Sequence, residues 1–176
     1  CGLVQVGDFV PPEDIFSDYA YFSSYSDSWV AHGRRFATAV EERFGLTAEH
    51  TVVEIASNDG YLLQHFRDDG VGVLGIEPAA NVAEVAVANG IPTVVEFFGR
   101  ATADELVASG VRADLLVANN VFAHVPDLND FVAGMERILS SVGVVSIEVP
   151  HLLRMVESTQ FDTIYHEHFS YFSFTT

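Results

Sequence analysis

Residues 52–63 read VVEIASNDGYLL: an apolar, β-branched run that breaks at Ser57-Asn58-Asp59-Gly60 and resumes as a helical pattern. A strand that feeds straight into a helix through a turn of small residues is the opening unit of an open α/β sheet. The same alternation continues downstream. Strands are predicted over residues 50–56, 71–77, 91–95, 113–118 and 142–149, the last interrupted by Gly143. Helices are predicted over residues 61–67, 79–89, 101–109 and 127–139, with Gly90 and Gly110 placed where two of them should stop. The strands are apolar nearly throughout, which marks a mainly parallel sheet with helices on both faces. The fold class is therefore α/β and Rossmann-like.

Upstream, residues 27–44 form a further helical pattern ended by Gly45, with Trp29, Val30, Phe36, Val40 and Phe44 near one face. Residues 1–24 are aromatic and turn-rich, broken by Pro11-Pro12, and Pro150 closes the last strand. This divides the chain into an aromatic lead-in (1–24), a sheet domain (25–150) and a terminal segment (151–176). The chain begins at Cys1 and stops in mid-pattern at Thr176, so it is expected to be a piece of a longer protein. Part of its apolar surface is then expected to face a missing domain.

Among the 176 residues, 25 are acidic and 8 basic, all of these Arg, for a net charge of -17. That balance disfavours nucleic acid as a partner. No apolar run is long enough to span a membrane, and no signal peptide is visible. A cytoplasmic monomer is expected. The lone cysteine has no partner for an internal disulfide.

Ligands of open parallel sheets bind at the carboxyl ends of the strands. Glu54, Ala56, Ser57, Asn58, Asp59 and Gly60 lie at the first such end, where small residues allow close approach. Glu77, followed by Pro78, stands at the tip of the second strand, about 20 residues further on, where a carboxylate can accept both ribose hydroxyls of an adenosine cofactor. A dinucleotide would prefer a Gly-rich turn, and Asp59 would repel its diphosphate. A methionine ammonium would instead be welcome among carboxylates. The turn therefore favours S-adenosylmethionine over NAD, although Ser57–Gly60 taken alone also reads as a plain capped turn. Asn119 and Asn120 should emerge at the same edge, as ligand contacts or turn caps. Phe98 is placed to pack on adenine or in the core.

Four of the seven histidines follow residue 120: His124, His151, His166 and His168. In Tyr165-His166-Glu167-His168, an extended backbone would put Tyr165 and Glu167 on one face and both histidines on the other. A histidine beside a carboxylate can serve as a general base, and a tyrosine can donate to an oxyanion. A metal site built on His166 and His168, and plain aromatic packing, are the competing readings.

The stretches YAYFSSYSDSW, EIASNDGYLL, GIEPAAN, NNVFAHVPDLNDFV and FDTIYHEHFSYFS together resemble the sugar C-methyltransferases of deoxysugar and antibiotic biosynthesis, across nearly the whole chain. The resemblance implies the class I methyltransferase fold and a chain of three parts: an N-terminal zinc module, this core and a C-terminal domain that helps hold a nucleoside-diphosphate sugar. Cys1 would be the last zinc ligand of the first part. The implied reaction is methylation at C3 of a 4-keto-deoxysugar. His168 would be the base, Glu167 would orient it, and Tyr165 or His124 would stabilise the enolate. Tyr19 would line the pocket. Ala56 departs from the family, which commonly has Gly there. A nicotinamide-dependent oxidoreductase or epimerase, or a non-catalytic interaction fragment, are the alternatives.

Overall fold

The computed structural model describes residues 2–7, 10–16 and 19–176; Cys1, the candidate zinc ligand, lies outside them. Strands β1 (Val4–Gln5), β2 (Thr51–Ile55), β3 (Gly72–Ile76), β4 (Thr93–Val94), β5 (Ala113–Asn119), β6 (Leu139–Glu148) and β7 (Ser170–Tyr171) are joined by helices α1 (Pro12–Phe16), α2 (Asp27–Phe44), α3 (Leu63–Asp68), α4 (Ala80–Ala88), α5 (Arg100–Ala108), α6 (Leu128–Ile138) and α7 (Leu152–Glu157). Five strands form one parallel sheet in the order β4-β3-β2-β5-β6. The chain starts at the centre, runs outward through β3 and β4, then returns to add β5 and β6 on the other side. The crevice of such a sheet opens where that direction reverses, at the carboxyl ends of β2 and β5.

Side-chain alternation along the central strands explains why they are apolar throughout. Val52, Leu115 and Val117 face one core with Ala37, Leu62, Phe66 and Ile91; Val53, Ile55, Leu116 and Ala118 face a second core with Ile76, Leu106, Phe131 and Ile138. Both faces of the sheet are thus dry, as the sequence pattern requires.

Helix α2 begins and ends where its sequence signals place it. The Ser26 side chain accepts from the Trp29 N–H, and Gly45 closes the helix in the left-handed conformation at φ 65°. Its inner face is Gly33, Ala37 and Val40, with Phe44 turned out to solvent. Strand β6 differs from expectation. It follows α6 directly and is continuous through Gly143. Its register with β5 slips between the Ala113–Leu139 and Leu115–Val144 pairs. A Cβ at Gly143 would lie 2.6 Å from the Ala113 carbonyl oxygen, so the glycine marks a close backbone approach instead of a break. The aromatic lead-in and the terminal segment meet through the antiparallel pair β1–β7. Among the described residues, no helix is long and apolar enough to cross a membrane.

Candidate active site

A cleft of about 610 Å³ opens at the carboxyl edge of the sheet. It is lined by Ala56, Asn58, Glu77, Pro78, Phe98, Asn119 and Asn120 from the strand tips, by His124, Tyr165 and His168 from the later loops, and by Tyr19 from the lead-in. Glu77 and His168 therefore share one cavity.

Glu77 is buried and both its oxygens are engaged: Oε2 accepts from the Asn58 N–H at 2.9 Å and Oε1 from the Ala79 N–H at 2.9 Å. Burial pushes its pKa up, and the two backbone donors pull it back. Each oxygen keeps a second lone pair for a ligand hydroxyl. Across β2 from it, Asn119 lines the same cleft, and its Oδ1 is buried without a hydrogen-bond partner among the described residues. A carboxylate at the tip of β3 and an asparagine at the tip of β5, on either side of β2 and walled by aromatic rings, fit an adenosine cofactor.

Four residues expected at the cofactor do not line the cleft. Glu54 is enclosed in the sheet at 1% exposure, and burial drives its pKa well up, reinforced by the nearby Glu77 and Asp59 charges. The Ser57 hydroxyl turns toward β3, where a Cβ on Gly75 would come within 2.4 Å of it. Gly60, at φ 80°, is small because Ile91 packs there, 2.7 Å from where its Cβ would stand. The Asp59 carboxylate turns away from the cleft and accepts from the Ser24 N–H at 3.1 Å. Asn58 does line the cleft, and its amide also holds the lead-in: Oδ1 accepts from the Ser23 N–H at 2.8 Å and Nδ2 donates to the Tyr21 carbonyl at 3.1 Å. The Asn120 amide donates to Glu148 at 2.9 Å. Phe98 packs edge-on against Phe131, with its residue also on the cleft wall. Ala56 sits at φ 55°, which gives a physical reason for a glycine at that position.

The histidine segment is a turn, not an extended strand. The His168 N–H donates to the Tyr165 carbonyl at 3.1 Å, which brings the two side chains to the same side instead of opposite faces. The Tyr165 hydroxyl lies 2.9 Å from His168 Nε2, and His168 Nδ1 lies 2.9 Å from the Thr163 carbonyl. A carbonyl can only accept, so Nδ1 carries the proton and Nε2 presents a lone pair. Orientation of this ring thus comes from the Thr163 backbone and not, as expected, from the Glu167 side chain, which makes no hydrogen bond to it and does not line the cleft. Burial lowers the His168 pKa, with the Thr163 contact and the Glu167 charge opposing.

His124 follows the same logic. Its Nδ1 donates to the Glu167 carbonyl at 2.9 Å, and its ring packs edge-on to His168 with centroids 4.7 Å apart. Burial, helped by the His168 charge, pushes its pKa down to about 4. Near neutral pH its Nε2 carries a lone pair, so it does not donate to an oxyanion; Tyr165 is the donor the geometry offers. Tyr19 stands between the two halves of the site. Burial raises its pKa, and the negative charges of Glu167 and Glu77 raise it further. His166 is exposed while His168 is buried, and among the described residues no group of three potential ligands is placed to hold a metal. Sequence reasoning passed over Trp29 and Tyr61 as wall residues; their rings stack with centroids 6.0 Å apart. The aromatic density around residue 29 was the available signal.

A central-first parallel sheet with a strand-tip carboxylate in its crevice defines a class I, S-adenosylmethionine-type methyltransferase fold. The chain belongs to the methyltransferase domain family, whose model matches residues 29–176. That membership sets aside the nicotinamide-dependent alternative. The chain is 37% identical over 173 residues to the C-methyltransferase NovU of Streptomyces niveus, covering 98% of this chain and 41% of that protein. It thus spans less than half the length of that relative. Among solved structures, a SAM-dependent methyltransferase of Archaeoglobus fulgidus matches with TM-score 0.60 at 15% identity, over 81% of this chain and 64% of the other. Streptomyces venezuelae DesVI matches with TM-score 0.56 at 16% identity, over 72% and 53%. Both share the fold.

Proposed function

We propose that this domain binds S-adenosylmethionine in the cleft and methylates a carbon next to a ketone, C3 of a nucleoside-diphosphate 4-keto-deoxysugar. The observation that carries the reading is the shared cavity of Glu77 and the Tyr165–His168 pair. When bound, the cofactor supplies an electrophilic methyl group.

Glu77 holds the ribose, and its fixed backbone partners keep it from rotating away. His168 Nε2 takes the proton from the carbon acidified by the ketone, and the C–H electron pair moves to the carbonyl oxygen as an enolate. For this, Tyr165 must leave Nε2; its hydroxyl then donates to the developing oxyanion. That carbon receives the methyl group, and the chain's part is to hold the cofactor end at Glu77 and the acceptor end at His168 in one cavity. Glu167 contributes charge, and His124 contributes a neutral, fixed wall. Four carboxylates line the cleft (Glu77, Glu96, Asp127, Asp130), and no arginine does among the described residues. A diphosphate would be repelled by these walls, so it extends away from them, toward the C-terminal domain the resemblance implies.

The reading is tested by calorimetry with S-adenosylhomocysteine on this chain. It is tested again by deuterium exchange at C3 of the ketosugar in D₂O with the intact protein. Binding and exchange without turnover are expected. Absence of exchange in a protein that binds the cofactor product would overturn the proton-abstraction step.

A further inference from the structure

The lead-in crosses the cleft wall as a strap, and two asparagine side chains hold it. Asn81, on the first turn of α4, pairs with both backbone groups of Tyr19: its Oδ1 accepts from the Tyr19 N–H at 3.2 Å, and its Nδ2 donates to the Tyr19 carbonyl at 2.9 Å. Asn58 makes the equivalent pair with the Ser23 N–H and the Tyr21 carbonyl. An amide used this way imitates a neighbouring β-strand, satisfying one donor and one acceptor of a segment that has no strand beside it. Both clamps are anchored to the same carboxylate. Glu77 receives the Asn58 N–H on one oxygen and the Ala79 N–H, two residues before Asn81, on the other.

We infer that Asn81 is a positioning residue: it fixes the Tyr19 backbone so that the phenol stands between the cofactor side and the His168 side of the cleft. Asn81 does not itself line the cavity, whereas Tyr19 does. The loop that grips the cofactor and the strap that shapes the acceptor pocket are therefore one hydrogen-bonded unit. Releasing the strap at Asn81 opens the acceptor pocket while the Glu77 contacts to the Asn58 and Ala79 N–H groups stay in place. The kinetic half of this inference rests on the methyltransferase reading above; the structural half does not.

The test uses Asn81→Ala and Asn81→Asp. Hydrogen exchange over residues 19–24 should accelerate by about tenfold in Asn81→Ala, the loss expected for a lost pair of net hydrogen bonds, with residues 52–63 unchanged. With the intact protein, acceptor KM should rise by about tenfold while S-adenosylhomocysteine affinity stays within about twofold. Asn81→Asp keeps an acceptor for the Tyr19 N–H but sets a carboxylate oxygen against the Tyr19 carbonyl, so both effects should persist. Unchanged exchange over residues 19–24 in Asn81→Ala overturns the clamp whatever the protein binds. Faster exchange with unchanged acceptor KM overturns the positioning role. Failure of any form to bind S-adenosylhomocysteine overturns the cofactor reading, and the exchange result still decides the clamp.

Discussion

The Tyr165 hydroxyl donates to Nε2 of His168, because the other nitrogen of that ring is committed to the Thr163 carbonyl. The lone pair a base needs is thus formed by the backbone and guarded by a phenol. Both halves of that relationship can be tested separately.

His168→Asn should cut turnover by about 10²–10⁴-fold, the range for a lost general base, while leaving S-adenosylhomocysteine affinity unchanged. Tyr165→Phe removes the oxyanion donor and should cost about 10²-fold. The enolate that this hydroxyl stabilises forms in the proton-abstraction step, so deuterium exchange at the acceptor carbon should slow together with methyl transfer. Because burial lowers the His168 pKa, the acid limb of kcat/KM should fall below pH 6.5, with activity held above it and lost as the ring protonates. An acid limb above pH 6.5 would remove His168 as the titrating group.

Glu77→Gln should weaken cofactor binding and also destabilise the fold. Both Glu77 oxygens accept backbone N–H groups, so an amide must turn its own donor toward one of them. Leaving a buried donor unpaired costs about 1–3 kcal/mol. Urea unfolding and calorimetry on the same variant should both move; a change in affinity alone would mean that the two backbone contacts add nothing to stability.

The turn after β2 offers a paired test of backbone strain. Ala56 holds φ 55°, a conformation that costs a residue with a Cβ about 1–2 kcal/mol. Part of that is returned by the greater unfolded-state freedom of glycine, so Ala56→Gly should stabilise by about 0.5–1 kcal/mol. Gly60→Ala should do the reverse by more than about 2 kcal/mol, since it adds strain at φ 80° to an Ile91 contact at 2.7 Å. Equal midpoints for the two variants would contradict the backbone conformation described here.

What the sequence made legible was whatever depends on local pattern. The alternation, the ends of α2 and the position of Glu77 at a strand tip follow from periodicity, caps and the geometry of parallel sheets. What it hid depends on partners far along the chain. Asp59 reads as a ligand contact because nothing near it shows that Ser24 will come to its carboxylate, and the second task of Asn58, holding Ser23, is hidden for the same reason. Glu54 and Ser57 sit at the right strand end, but the face each side chain takes is fixed by packing against β3 and β5. The turn at residues 165–168 carries no local signal, because its aromatic residues favour strands. The Tyr165–His168 backbone bond, and the Glu167 carbonyl held by His124, override that preference.

His124 ties the site to the stability of the molecule. Its pKa is about 4 when folded against 6.5 for an ordinary histidine. Between those values the unfolded chain binds a proton that the folded protein refuses, so stability is full above pH 6.5, falls as pH drops toward 4, and levels below it. The span is worth at most about 3 kcal/mol. His168, also lowered, adds to the same slope, whereas Glu54 and Glu77, both raised by burial, oppose it by binding protons first in the folded state. Comparison with His124→Gln isolates the one ring. The difference in unfolding free energy between wild type and variant should shrink as pH falls from 7 to 4.5, because only the wild type loses stability to that proton. A difference that stays constant across this range would mean the ring at position 124 is charged, or solvated, in the folded protein, and the neutral wall assigned to it beside His168 would have to be given up.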